Sequence, residues 1–179
     1  RQNLTYGRIE AEVFALCGEY ETEEEVFKLI EDHIEIIKSY NRNFDLVPNF
    51  GVYFVDDLTL SPGVMLDRAT LAAKECKGNY IDTVGVFKPE MSMRLEKEQE
   101  IVNEMVQALQ EEQFIVYLQP KYSLETNAPA GAEALVRWMH PEKGMISPGL
   151  FIPVFEKNGF IERLDHYVWE VICKYLRKW

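Results

Sequence analysis

Glu133 and Arg137 interrupt an otherwise small and apolar run over residues 130–138. If that run is a strand, alternate residues face alternate sides, and two charges four positions apart share a side at about 13 Å from each other. A carboxylate buried in such a run without a partner is costly. It is therefore paired with a base, coordinated to a cation, or placed at a strand end facing solvent. A Glu–Arg or Glu–Lys pair closing a sheet edge accounts for the bare pattern as well as a ligand site does. The flanking residues tip the balance toward a ligand site: residues 114–118 read as a buried strand ending on Gln119-Pro120, and Ser147-Pro148 follows the charged run.

The elements that must hold these residues follow from periodicity and punctuation. Residues 6–17 read as two short strands around a turn, ended by Gly18. A helix with a capping box, Thr22 to Glu25, carries Val26, Leu29, Ile30, Ile34 and Ile37 at helical spacing and breaks at residues 41–43. Residues 46–55 read as a strand with a kink or close approach at Gly51. Ser61-Pro62 opens a helix that Gly78-Asn79 stops, and residues 80–87 read as another strand. Residues 89–112 form one long charged helix whose stripe is Leu95, Ile101, Val102, Met105, Val106 and Leu109. After the two strands comes a loop over residues 139–146, then a helix capped by Ser147 and ended by Gly159. The last helix covers residues 164–179. The fold class is α/β.

The chain has 179 residues, 47% of them hydrophobic, enough for a packed core. Its net charge of −11 argues against nucleic acid, whose backbone demands basic patches, but not against a small anionic ligand. No run of about 18 apolar residues offers a membrane span. The three cysteines, Cys17, Cys76 and Cys173, are far apart, which points away from zinc or a disulfide framework and toward a reducing cytoplasm. The parent could still be anchored in a membrane through other regions. His33, His140 and His166 have no metal-ligand spacing and read as surface or satisfied residues. Arg at position 1 suggests an excised fragment.

Taken in order, Tyr117-Leu118-Gln119-Pro120, then Gly131 to Trp138, then His140-Pro141-Glu142-Lys143-Gly144, then Ser147-Pro148, the segment from about residue 114 onward resembles the opening of an EAL domain, the module that hydrolyses cyclic di-GMP. The resemblance implies Glu133 as catalytic residue and ligand of Mg²⁺ or Mn²⁺, metals that prefer oxygen donors. It implies Arg137 as a fork on phosphate, Gln119 as a ligand contact, Leu135 and Pro148 as apolar surface beside it, and Asp165 as a contact to guanine. Plainer readings stand beside these: Gln119 as a strand-end cap, Pro148 as a helix-start proline, Asp165 as the N-cap of the last helix. Trp138, Trp169 and Trp179 read as packing, and Glu156 as a solvated acid. The family's module resembles a TIM barrel of roughly 250 residues. Residues 113–179 supply only its first strands and helices, and an opened barrel leaves strand edges unpaired, which leaves homodimerisation or strand exchange open.

Residues 1–88 are similar to the second half of a GGDEF domain, the diguanylate cyclase module with a nucleotide-cyclase-like fold. Tyr6-Gly7-Arg8-Ile9 matches the lead-in, Asn49-Phe50-Gly51-Val52 a later strand, and Arg68-Ala69 with Leu71, Ala72 and Lys77 the phosphate-side helix. The signature positions are Glu10, Ala11, Glu12, Val13 and Phe14. Glu10 and Ala11 replace two glycines that let a nucleotide approach, and Val13 cannot hold Mg²⁺. The inhibitory-site positions are Arg1 and Leu4. Cyclase activity and product inhibition are therefore expected to be absent. The expected organisation is a partial degenerate GGDEF domain over 1–88, a connecting helix over 89–112 and the start of an EAL domain over 113–179. The parent is expected to be a metal-dependent cyclic di-GMP phosphodiesterase with an inactive regulatory half. The alternative is a receptor that binds cyclic di-GMP without cleaving it, or an interaction module. The chain alone is expected to be inactive.

Overall fold

A computed structural model describes residues 4–40 and 46–178 and divides the chain into two compact units, Arg1–Ser92 and Met93–Trp179. Helices and strands are mixed in both. The break expected at residues 41–43, and Arg1 and Trp179, lie outside the described residues.

The first unit opens with β1 (Leu4–Glu10) and β2 (Val13–Gly18), an antiparallel pair in which Tyr6 faces Leu16 and Arg8 faces Phe14. Helix α1 (Glu23–Tyr40) follows, with Thr22 Oγ1 accepting from the Glu25 N–H at 3.4 Å. Glu25 completes a variant of the capping box, its carboxylate accepting from the N–H of Glu21 at 3.2 Å rather than from that of Thr22. Next come β3 (Phe50–Val52), α2 (Pro62–Glu75) and β4 (Val84–Val86), with the two strands paired in parallel. Ser61 caps α2 through its side chain, and Pro62 fills the first turn where no N–H partner is needed. In the strand register Gly51 stands opposite Gly85, and α2 lies directly on both. A Cβ at Gly51 would fall 1.8 Å from the Ala69 carbonyl oxygen, and one at Gly85 2.2 Å from that of Ala72. The close approach expected at Gly51 is a helix lying on the strand.

Both strands are shorter than expected. Residues 46–55 yield only Phe50–Val52, because Pro48 has no N–H to give a ladder and the chain leaves the sheet after Val52 toward a turn at Leu58-Thr59. Residues 80–87 yield only Val84–Val86. The Asn79 Oδ1 accepts the N–H groups of Ile81 and Asp82 at 2.9 and 3.0 Å, an Asx turn that diverts them from the sheet.

Helix α3 (Pro89–Gln110) leads into β5 (Phe114–Tyr122), β6 (Pro129–His140) and β7 (Gly144–Ile146), an antiparallel sheet in the order β5-β6-β7. The expected loop over residues 139–146 is a tight hairpin. Gly144 adopts φ +71, and the His140 Nδ1 accepts the N–H groups of Glu142 and Lys143 at 3.1 and 3.0 Å. Helices α4 (Pro148–Asn158) and α5 (Ile161–Lys178) close the unit. Gly159, at φ +78, ends α4, and α5 begins at once rather than at residue 164. Asp165 therefore lies inside α5 and is not its N-cap.

The core of this unit is aromatic. Phe114, Trp138, Phe151 and Phe155 are fully buried, with Phe114 5.2 Å from Trp138 and 5.7 Å from Phe151 between ring centroids. Such tilted pairs add to what burial of their area supplies. The Trp138 Nε1 donates to Gln113 Oε1 at 2.9 Å, so the indole is buried without an unpaired donor. Ile101 and Ala108 of α3 join the core, with Val102, Met105 and Leu109 packed against it, while Leu95 and Val106 of the expected stripe stay exposed. Trp169 does not pack as expected: it is 64% exposed, against His166 on the outer side of α5.

Candidate functional site

Strand alternation sorts β5 and β6 into two faces. Phe114, Val116 and Trp138 turn inward to α4 and α5, so the odd-numbered residues turn outward. The register sets Gln119 opposite Glu133, Tyr117 opposite Leu135 and Ile115 opposite Arg137. Opposed residues of an antiparallel pair project from the same side, which brings Gln119, Glu133, Leu135 and Arg137 onto one open face. Glu133 is exposed, while Leu135 and Arg137 are half-buried. The Arg137 guanidinium donates to the Val136 carbonyl at 2.8 Å.

Pro148 and Asp165 lie on helices rather than on the paired strands. Pro148 occupies the first turn of α4, whose Ser147 makes no side-chain cap bond, so the proline sets the helix start without it. Asp165 is exposed on α5, and α5 packs through Leu164, Tyr167 and Val168 against the aromatic face. The Tyr167 hydroxyl donates to the Phe114 carbonyl at 3.0 Å. The sheet therefore stands between Asp165 and the Glu133 face.

Sequence reasoning missed Lys121. Its Nζ lies 3.0 Å from Glu133 Oε2, with side chains 63% and 52% exposed. Glu133 thus takes a lysine partner, one of the alternatives its pattern left open. The available signal was parity, since Lys121 lies two residues beyond Gln119 on the same side of β5. A pair this exposed contributes about 0–1 kcal/mol, so it biases Glu133 without locking it.

A hard divalent cation takes about six oxygen ligands. Among the described residues no cluster of three or more His, Cys, Asp or Glu could hold one. Glu133 and the Gln119 amide across from it form an incomplete donor set, and Lys121 already answers the carboxylate's charge. These residues alone do not fit a divalent ion.

The signature-like residues of the first unit form the β1–β2 turn. Glu10 ends β1, Ala11 and Glu12 make the turn, and Val13 and Phe14 begin β2. Ala11 sits at φ +35, in the region where glycine is at ease and alanine is strained. The Arg8 Nε donates to the Ala11 carbonyl at 2.5 Å and braces the turn. Arg68 is engaged within its own unit. It lies about equally over the Tyr53 and Phe87 rings, at 5.0 and 5.1 Å, and donates to the Tyr53 hydroxyl at 2.6 Å. That hydroxyl donates to Asp56, whose carboxylate holds the Tyr53 proton on and pushes its pKa up.

The EAL domain family model matches residues 102–179. The chain is 33% identical over 93 residues to the bifunctional diguanylate cyclase/cyclic di-GMP phosphodiesterase MucR of Pseudomonas aeruginosa, covering 52% of this chain and 14% of that protein. It is 34% identical over 113 residues to the cyclic di-GMP phosphodiesterase NbdA of the same organism, covering 63% of this chain and again 14% of the relative. A solved structure described as the PaMucR phosphodiesterase in complex with c-di-GMP is 36% identical, with a TM-score of 0.42 and coverage of 45% of this chain and 32% of that one. The chain therefore spans a small part of the length of the relatives it matches. No helix among the described residues is long and apolar enough to cross a membrane.

Proposed function

We propose that this chain is part of a cyclic di-GMP signalling protein and that the open face of β5 and β6 is one wall of its ligand site. The observation that carries this reading is the gathering of Gln119, Glu133, Leu135 and Arg137 on the one face the helices leave uncovered. In a complete EAL domain, Glu133 would be one oxygen ligand of Mg²⁺ or Mn²⁺, with further carboxylates from outside these residues. A bound divalent ion activates water and neutralises charge developing on phosphate. Arg137 would grip a phosphate through its planar fork, Gln119 would orient the ligand, and Leu135 would pack beside it. Residues 1–88, whose signature turn is Glu10, Ala11, Glu12, Val13 and Phe14, would regulate without cyclase chemistry.

The test is cyclic di-GMP hydrolysis by a longer protein carrying this sequence within a full EAL domain. Turnover should require Mg²⁺ or Mn²⁺. Glu133→Gln keeps the size and removes the charge that holds the cation, so kcat should collapse. Arg137→Ala should act mainly through KM, because it removes a hold on phosphate that ground state and transition state share. Incubation with GTP and Mg²⁺ should give no cyclic di-GMP. Tight binding with no cleavage under either metal would favour the receptor reading, toward which the Lys121–Glu133 pair points.

A further inference from the structure

We infer that Tyr117 is a further ligand contact on the open face, a ring on which one guanine base of cyclic di-GMP stacks. This rests on the reading of the β5–β6 face as the ligand site. The register puts Tyr117 at the centre of the group, opposite Leu135 and diagonal to both Glu133 and Arg137. Gln119 follows on the same side of β5, about 6.8 Å further along the strand. Tyr117 is 52% exposed, whereas Val116 beside it is buried. Among the described residues its hydroxyl has no hydrogen-bond partner and its ring meets no other ring or cation. Other aromatic residues of this unit are engaged: the Tyr167 hydroxyl donates to the Phe114 carbonyl, and the exposed Trp169 lies against His166. Tyr117 alone on this face offers an aromatic surface and a polar tip that the unit itself does not use.

The neighbours select what such a ring takes. Leu135 widens it into an apolar platform, since opposed residues of an antiparallel pair stand about 5 Å apart. Polar side chains flank the platform at both ends, Gln119 and Glu133 on one side and Arg137 on the other. A wholly apolar ligand would strip water from those groups without replacing it, and a simple anion would leave the platform unused. A purine nucleotide matches both parts. Its base has a π face for the ring, and its polar rim suits the Gln119 amide, which both donates and accepts. Its phosphate suits the Arg137 fork. Base–aromatic stacking changes affinity about fivefold or more for each stacked base, and a half-exposed ring belongs at the lower end of that range.

The experiment titrates the 179-residue chain with cyclic di-GMP and follows chemical shifts, in the wild type and in Tyr117→Phe, Tyr117→Leu and Arg137→Ala. Tyr117→Phe keeps the ring, and Tyr117→Leu keeps apolar bulk without it. In the wild type, nuclear Overhauser contacts should join the Tyr117 ring protons to the guanine H8. Tyr117→Phe should bind within about twofold of the wild type, and Tyr117→Leu about fivefold or more weakly. Equal affinity in the wild type and Tyr117→Leu, with Arg137→Ala still weakening binding, overturns the stacking role and leaves the face as the ligand site. Equal losses in Tyr117→Phe and Tyr117→Leu also overturn it, because the hydroxyl and not the ring would then be the contact. No binding, or shifts confined to residues away from this face, overturns the reading of the face and the inference with it.

Discussion

Cys76 is buried where α2 meets β4, so close that a Cβ added to Gly85 would stand 3.1 Å from its sulfur. Burial pushes its thiol pKa up, with the charges of Asp82 and Glu75 acting in the same direction. Thiolate is the reactive form, so Cys76 should resist a disulfide reagent at mildly alkaline pH while exposed Cys17 and Cys173 react promptly. The third thiol should titrate only as the first unit unfolds. Three equal rates would contradict this packing. At this scale the sequence was informative wherever a property is local. The shared side of Glu133 and Arg137 follows from strand parity alone, and Gln119 joins them once β5 is recognised as a strand. Parity puts Lys121 on the side of Gln119, but its pairing with Glu133 was not legible, because only the register shows that a glycine stands across from the lysine. Trp169 misled for a related reason: residue type suggests burial, but the helix face that carries it is decided by α5 packing through Leu164.

Elements in this chain are fixed by close contacts that differ in their tolerance. Gly51 and Gly85 lie under the backbone of α2, so Gly51→Ala forces the helix off the strand. Its cost should reach at least ~2 kcal/mol, since overpacking against backbone cannot be relieved by a rotamer change. Gly131→Ala, with open space around it, should be nearly neutral. Chemical denaturation of the two variants checks this, and a neutral Gly51→Ala would refute the helix-on-strand contact. In the second unit Lys143 of the β6–β7 turn clasps Glu100 and Glu104 of α3, and the His140 Nε2 lies 3.3 Å from Glu104. The Lys143 hydrogen bond lowers the Glu100 pKa from its ordinary 4.5, so that contribution is complete above 4.5 and fades as pH falls through the lower folded value. Lys143 is itself raised from 10.5 by Glu100 and then Glu104, so its share is full below 10.5 and fades as pH rises through the higher folded value. The melting difference between wild type and Lys143→Met should therefore shrink as pH drops from neutral to about 3. A difference that persists in acid would show that the clasp contributes by packing alone. Helices were legible at this scale because caps and stripes are written locally, as at Ser61-Pro62 and Gly159. Strands 3 and 4 were overextended because hydrophobic runs do not reveal which residues find a partner, and the Asn79 turn removes part of one run from pairing.

On the scale of the whole molecule, the mixed α/β character follows from the alternation of elements along the chain, whereas pairing direction depends on contacts far apart in sequence. The parallel β3–β4 pair under α2 and the antiparallel β5-β6-β7 sheet are both outcomes of that kind. The antiparallel sheet buries its aromatic face under α4 and α5 and leaves the Glu133 face open. A chain of net charge −11 that gathers Lys121 and Arg137 on this face presents a local cationic edge suited to a small anionic ligand. The most direct measurement is a titration of the 179-residue chain with cyclic di-GMP, with and without Mg²⁺, followed by amide and side-chain chemical shifts. The account predicts shifts concentrated at Gln119, Glu133, Leu135 and Arg137, reduced by Arg137→Ala, with no hydrolysis of the ligand by this chain. Shifts confined to the first unit or to the helices on the aromatic side of the sheet, or none at all, would contradict it.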